Sequence, residues 1–393
     1  MKTDIRQLYN KMLGFAVFSG LLQRPLFARF LDFCAAERGT AAQLRAYGDF
    51  VHEIYAGGGN LTECVCRFLF EDENIYVKSI AADRGVCPHV LRAAEEELDA
   101  LSLFSTLSPA DLAAEMGHPP YQAGFAVGKG DLRAAYEKRV ADIGRHGYGI
   151  FATSPMFSLG ETGEILPIRS PDRSTLDRFV GYAEERARVI ANTIAFLDGR
   201  SATNALLYGD AGTGKSSTVK AIVNEFFDRG LRLIEMRKDQ LFLLPHVMGE
   251  IADNPLKFII FIDDLSFNKN DDTFSMLKAM LEGSASARAK NAVIYATSNR
   301  RHIVKESFSD REGDDLHRND TVQETLSLSE RFGLTVLFAK PEKRLYLAIV
   351  HELAARAGIK KDAASLDTEA EAFALRRGYR SARCAEQFIE SLL

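Results

Sequence analysis

The sequence predicts a three-part α/β chain: a mainly helical region at residues 1–165, a parallel sheet covered by helices at 166–340, and a small helical end at 341–393. Three observations carry that expectation. From residue 204 onward, strand-like apolar runs alternate with helix-like stretches, a pattern that makes neighbouring strands parallel and covers both faces of the sheet. A glycine-rich turn, "GDAGTGKSS", directly follows the first of those runs. Up to about residue 148, by contrast, the pattern is helical.

The elements follow in order. "RPLFARFLDFCAAERG" carries Pro25 near its start and Gly39 at its end, the punctuation of a helix. "CPHVLRAAEEELDALSLF" repeats the pattern, with an apolar stripe through Val90, Leu91, Ala94, Leu98 and Leu101. Glycines 57–59 and "GFAVGKGD" (124–131) read as loops, and the "GKG" there is too short and badly placed to hold phosphate. A hairpin is expected over 150–168, turning at Glu161, Thr162 and Gly163, and then a long helix that stops at Gly199. The predicted strands are "NALLYG" (204–209), "LRLIEM" (231–236), "KFIIFIDD" (257–264), "NAVIYATSN" (291–299) and "LTVLFAK" (334–340). After Lys340 the pattern is helical again, with Leu345, Ile349 and Leu353 on one stripe.

Composition excludes several classes. With 393 residues and 46% hydrophobic content the chain buries real cores and is neither disordered nor fibrous. Its 49 basic and 54 acidic residues leave a net charge of -5, which argues against a dedicated nucleic-acid coat; nucleic acid stays possible but unsupported. Five cysteines, an odd number, point to reduced thiols and a cytoplasmic chain rather than a disulfide framework. Cys64, Cys66, Cys87 and His89 form the one metal-like grouping, but C-x-C is not zinc-knuckle spacing, so structural thiols are the preferred reading. "MLGFAVFSGLL" (12–22) has Asp4 upstream and no cleavage site after it, so it reads as the apolar face of a helix, and no run is long enough to span a bilayer.

The chemistry begins at Gly209. "GDAGTGKSS" fits G-x-x-x-x-G-K-[ST] between a strand and a helix, the context that turns a loose pattern into a phosphate site. Gly209, Gly212 and Gly214, with Asp210, Ala211 and Thr213 between them, let successive N–H groups point at phosphate. Lys215 adds a point charge, Ser216 a hydroxyl for Mg²⁺, and Ser217 continues the cradle. "FIIFIDD" delivers Asp263 beside Ser216 to hold the magnesium and Asp264 toward an attacking water. "IYATSN" ends a strand on Thr297, Ser298 and Asn299, a polar tip suited to the γ-phosphate or to water. "LSLSERFG" places Arg331 ahead of the last strand, and "RSARCAEQF" places Arg383 in the first turn of the final helix.

In that order these motifs resemble the AAA+ ATPase superfamily over about residues 166–393. The wording "NALLYGDAGTGKSS", "FIIFIDDLSF", "LKAMLEG" and "IYATSNRRHIV" resembles, more narrowly, the bacterial AAA+ family called domain of unknown function 815. The resemblance implies ATP and Mg²⁺ as cofactors and a homo-oligomer. It makes Lys215 the Walker A lysine, Asp263 and Asp264 the Walker B pair and Asn299 sensor 1. Arg331 matches the arginine finger, Arg383 sensor 2 with Arg380 as its rival, and "FVGY", with Val180 and Gly181, the adenine-side segment.

The second aspartate departs from the commoner Asp-Glu pair. Aspartate is one methylene shorter, which handicaps Asp264 as a base unless the backbone compensates. Bacterial replication initiators look similar here and use ATP largely as an assembly switch. The expectation is a slow ATPase whose ATP-dependent oligomerisation remodels or recruits a protein partner, with the helical N-terminal region choosing it. A nucleotide-gated scaffold with negligible turnover and a small-molecule kinase are the alternatives; Arg331 and the helical lid count against the kinase. No aromatic-glycine pore loop follows "LRLIEM", and a polar stretch at 307–324 is expected to be a loop beside the Arg331 interface.

Overall fold

The computed structural model describes residues 4–266, 277, 281, 290–299 and 331–393. Two compact units emerge: residues up to Thr153 with Asp253–Pro255, and Ser154–Ala252 with Leu256–Leu393. The "LKAMLEG" stretch and the polar stretch at 307–324 lie outside the described residues, apart from Leu277 and Leu281.

The first unit is helical. Its core is a cluster of aromatic rings in which Phe30 lies 4.6 Å from Phe104 and 5.6 Å from Phe50. Capping residues start the helices: Pro25 opens Pro25–Ala35, as its place in the sequence predicts, and the Asn60 and Asp131 side chains accept backbone N–H bonds at the heads of Leu61–Glu71 and Leu132–Ala141. The apolar stretch 12–22 is not a single helix face. Helix Ile5–Leu13 ends at Gly14, and a 3₁₀ turn follows at Ser19–Gln23. Between them, the buried Glu97 carboxylate accepts from the backbone N–H groups of Ala16, Val17 and Phe18 at 2.8–3.2 Å. Those donors are spent on a side chain, so the chain does not wind on. Leu91 leaves the stripe of helix Pro88–Ser105 and is 41% exposed, while Ala94, Leu98 and Leu101 are buried.

The second unit holds a seven-stranded sheet with strands β1 Met156–Leu159, β2 Ile165–Pro167, β3 Ala205–Gly209, β4 Leu231–Glu235, β5 Lys257–Ile262, β6 Ala292–Ser298 and β7 Leu334–Phe338. The order is β2-β1-β4-β5-β6-β3-β7. Every neighbour pair is parallel except β1 with β2. The hairpin begins at Met156 rather than at residue 150, since Gly149–Ala152 is a 3₁₀ turn. β1 pairs with β4 through Met156 and Leu233, so the hairpin extends the sheet instead of closing the helical region. Helix Ala183–Leu197 covers one face, where Thr193 Oγ1 and Asn192 Nδ2 meet the buried Tyr295 hydroxyl of β6 at 2.8 and 3.0 Å. Three helices, Lys343–Arg356, Ala363–Arg377 and Ala382–Glu390, follow β7 and share a core around Tyr346, Ile349 and Phe388.

Candidate nucleotide site

The parallel register sets the site. β3, β5, β6 and β7 all end at one edge, the side on which open α/β sheets bind ligands. At that edge β3 leads into the glycine turn, β5 into Asp263, β6 into Asn299 and β7 into Lys340. β6 lies between β5 and β3, which brings its polar tip between the aspartates and the turn.

Gly209 is required by space: a Cβ there would lie 2.1 Å from the Phe338 carbonyl oxygen. The turn is tied on both sides, by Lys340 N–H donating to Asp210 Oδ2 at 3.0 Å and by Arg383 N–H donating to the Gly212 carbonyl at 3.2 Å. Lys215 begins helix Lys215–Glu225 and is buried. Its Nζ donates to the carbonyls of Gly209 and Asp210 at 2.9 and 2.7 Å, and to Asn299 Oδ1 at 3.1 Å. Burial pulls the lysine below its ordinary value of 10.5, against the opposing pull of Asp210, Asp263 and Asp264. An ammonium desolvated in this way gains by meeting an anion.

Asp263 Oδ1 is a hub. It accepts from Ser216 Oγ at 2.6 Å, from Thr297 Oγ1, and from the Asp264 N–H at 3.2 Å. Thr297 Oγ1 also accepts from the Asp264 N–H at 2.9 Å, so its hydroxyl orients the two aspartates and is not the free strand tip the sequence suggests. Asp264 stands at φ +50°, in the left-handed region, and its Oδ1 accepts from Asn299 Nδ2 at 2.7 Å. Lys215, Ser216, Asp263, Asp264 and Asn299 therefore form one hydrogen-bonded group. A hydroxyl and a carboxylate meeting at 2.6 Å are the hard oxygen donors that suit Mg²⁺.

Beside the turn a cavity opens, lined by Phe179, Val180, Gly214, Ile349, Leu353 and Arg383 among others. Composition and spacing gave no sign of two of its supports, Arg186 and Arg356. Arg186 is buried, donates to the Gly181 carbonyl, and stacks 5.2 Å from the Phe179 ring centroid. Ile349 and Leu353 were legible only as a helix stripe. Arg356 reaches from helix Lys343–Arg356 to the carbonyls of Arg178 and Asp177 at 2.7 and 3.0 Å. Arg383 lines the cavity, whereas Arg380 forms a two-bond ion pair with Glu371 at 2.9 and 2.7 Å. Ser217 also lines it; Ala211 is exposed within the turn. Arg331 is not brought to this group: it precedes β7, whose first residue Leu334 pairs with Ala205, at the opposite end of β3 from Gly209.

No cysteine lines the cavity beside the glycine turn. Burial pushes the Cys34 thiol up to about 12 and raises Cys64 and Cys66, and no group of three metal-binding side chains occurs among the described residues. Among those residues, no helix is long and apolar enough to cross a membrane.

One curated relative, the chaperone protein ClpB of Rickettsia bellii, is 28% identical over 182 residues. That match covers 39% of this chain and only 20% of the relative. Two variant structures of Thermotoga maritima RuvB are similar at 13% and 14% identity, with TM-scores of 0.34, over 56% of this chain and 72% of theirs. The family described as "Protein of unknown function (DUF815)" matches residues 153–393, more than half of the sequence. The chain belongs to the DUF815 family, and its sheet and phosphate turn have the AAA+ ATPase-like fold.

Proposed function

We propose that the protein binds ATP with Mg²⁺ and hydrolyses it slowly, and that ATP-dependent assembly with copies of itself remodels or recruits a protein partner chosen by the helical unit. The carrying observation is the hydrogen-bonded group that joins the buried Lys215 through Asn299 to Asp264, with Ser216 and Asp263 beside it. Lys215 would bind the β- and γ-phosphates as a desolvated point charge. Ser216 and Asp263 would hold the magnesium, which when bound neutralises phosphate charge. Asp264 would orient or deprotonate the attacking water, and Asn299 holds the Asp264 carboxylate and would swing its amide toward the γ-phosphate. Arg383, on a helix bonded to the turn, would sense nucleotide from the lid side, and Val180 and Gly181 would flank the base. Arg331, remote from its own turn, would serve a neighbouring subunit. The likeness to a protein named as a chaperone is in keeping with a protein partner.

The test is Lys215→Ala in equilibrium ATP binding. Affinity should be lost or severely weakened, because no other cation donates within this group; Ser216→Ala should cost magnesium dependence more than affinity. Unchanged ATP affinity in the lysine variant would sink the assignment. The scaffold reading, with negligible turnover, draws on the left-handed backbone at Asp264, and steady-state phosphate release separates the two.

A further inference from the structure

The helical unit contains an open cavity of about 490 Å³ along one face of helix Leu61–Glu71. Glu63, Cys66, Arg67 and Phe70 recur there at helical spacing. The facing wall is the glycine segment around Gly128, and Arg139 comes from helix Leu132–Ala141. That wall is built in advance. Leu61 N–H donates to the Ala126 carbonyl at 3.0 Å, and Gly128 N–H donates to Thr62 Oγ1 at 2.9 Å.

Two guanidiniums in this cavity have donors to spare. Arg67 is exposed, lies 5.3 Å from the Phe68 ring centroid and makes no hydrogen bond or ion pair with the described residues. Arg139 lies 4.9 Å from the Phe70 ring centroid and gives Nη2 to the carbonyls of His146 and Ala152, while its Nε is buried with no partner. Burial lowers the proton affinity of Arg139, so a counter-anion there would relieve a cost. A mostly apolar wall with a few convergent polar groups is the usual make-up of a small-ligand site. The guanidinium fork matches a carboxylate. A phosphate dianion fits worse, because Glu63 stands in the same wall.

We propose that this cavity binds a carboxylate carried on a short apolar body, the carboxylate meeting Arg67 and Arg139 and the apolar part lying against Phe70 and Cys66. A small free acid and the C-terminal residue of a peptide share that chemistry. The experiment is a fluorine NMR titration of the full chain with 4-(trifluoromethyl)benzoate and with the neutral 4-(trifluoromethyl)benzamide. The benzoate should bind, the amide should bind about tenfold more weakly or not at all, and Arg67→Gln should lower benzoate affinity by about fivefold or more. Arg67 is exposed, so its variant should fold, which a circular dichroism melt checks. Lys215→Ala should leave benzoate binding unchanged, which separates this cavity from the proposed nucleotide site. Competition by Gly-Gly-Phe but not by its C-terminal amide assigns the cavity to a peptide terminus; competition by neither assigns it to a free acid. Absent benzoate binding at millimolar concentration, equal binding of the amide, benzoate binding lost in Lys215→Ala, or benzoate affinity unchanged in Arg67→Gln would overturn the proposal.

Discussion

Asp264 is where sequence and backbone meet, and substituting it separates two effects. At φ +50° an ordinary L side chain costs roughly 1–2 kcal/mol, a cost that Asp and Asn largely avoid through short-range hydrogen bonding. Asp264→Glu should therefore destabilise the sheet unit by about 1 kcal/mol, or about 2–4 °C in Tm for a unit of this size. Asp264→Asn should melt like the parent. Turnover should move differently. Asn keeps the backbone but cannot take a proton, so phosphate release should fall by about 10² or more, with ATP affinity kept. The slow-switch reading expects Asp264→Glu to hydrolyse faster despite its lower stability, because the longer carboxylate reaches the water. Calorimetric melts of the nucleotide-free protein and steady-state phosphate release measure both. Parent-like turnover in Asp264→Asn refutes the catalytic role; a parent-like melt in Asp264→Glu refutes the backbone argument.

In the proposed site, Lys215 should make ATP binding pH-dependent. Its value is depressed in the free site and should rise beside phosphate, so affinity should fall as pH climbs through the depressed value toward 10.5 and binding in that window takes up protons; calorimetry in buffers of different ionisation heat, stepped upward in pH toward 10.5, detects the uptake, and none at any step would mean that the lysine is not at the phosphates. Arg331→Ala should leave ATP binding by the isolated subunit intact and cut hydrolysis and ATP-dependent assembly by about tenfold or more, short of the 10³–10⁵ seen for cations delivered in trans. Mixing it with Lys215→Ala should restore some activity; light scattering and phosphate release across the mixing ratio test this, and strictly proportional activity from a monomer would make Arg331 a surface residue. Arg383→Gln should weaken ATP binding or turnover, whereas Arg380→Gln should lower lid stability through the Glu371 pair and leave ATP affinity near the parent value; a melt and a binding isotherm for each variant decide between them.

Much of the sheet was legible in the sequence, because buried parallel strands are near-continuous apolar runs and each of the five predicted runs became a strand. The glycine turn was legible for a similar local reason: its residues are chosen by backbone geometry and by phosphate chemistry within nine positions. The limits fall where partners are distant in sequence. Nothing near Glu97 announces that its carboxylate will take three N–H groups about 80 residues away, which is why the 12–22 stretch reads as a helix face. Nor does the run "LRLIEM" announce that Arg232 is 1% exposed, stacked 3.9 Å from the Phe227 ring centroid and bonded to the Phe227 and Leu231 carbonyls.

Residue types and spacing by themselves determined the α/β class, the phosphate turn and the paired aspartates, since each depends on neighbours a few positions apart. Only the tertiary structure decided how those parts are used. The strand order put β6 between β5 and β3, and so made Thr297 the clamp on Asp263 and Asp264 rather than a free polar tip. Packing of the last helix against the glycine turn separated Arg383 from Arg380, three residues apart in the chain, by giving one a cavity and the other a carboxylate. The φ of Asp264 supplied a reason for aspartate where length alone argued for glutamate. These outcomes depend on which side chains meet across the fold, and a one-dimensional pattern does not carry that geometry.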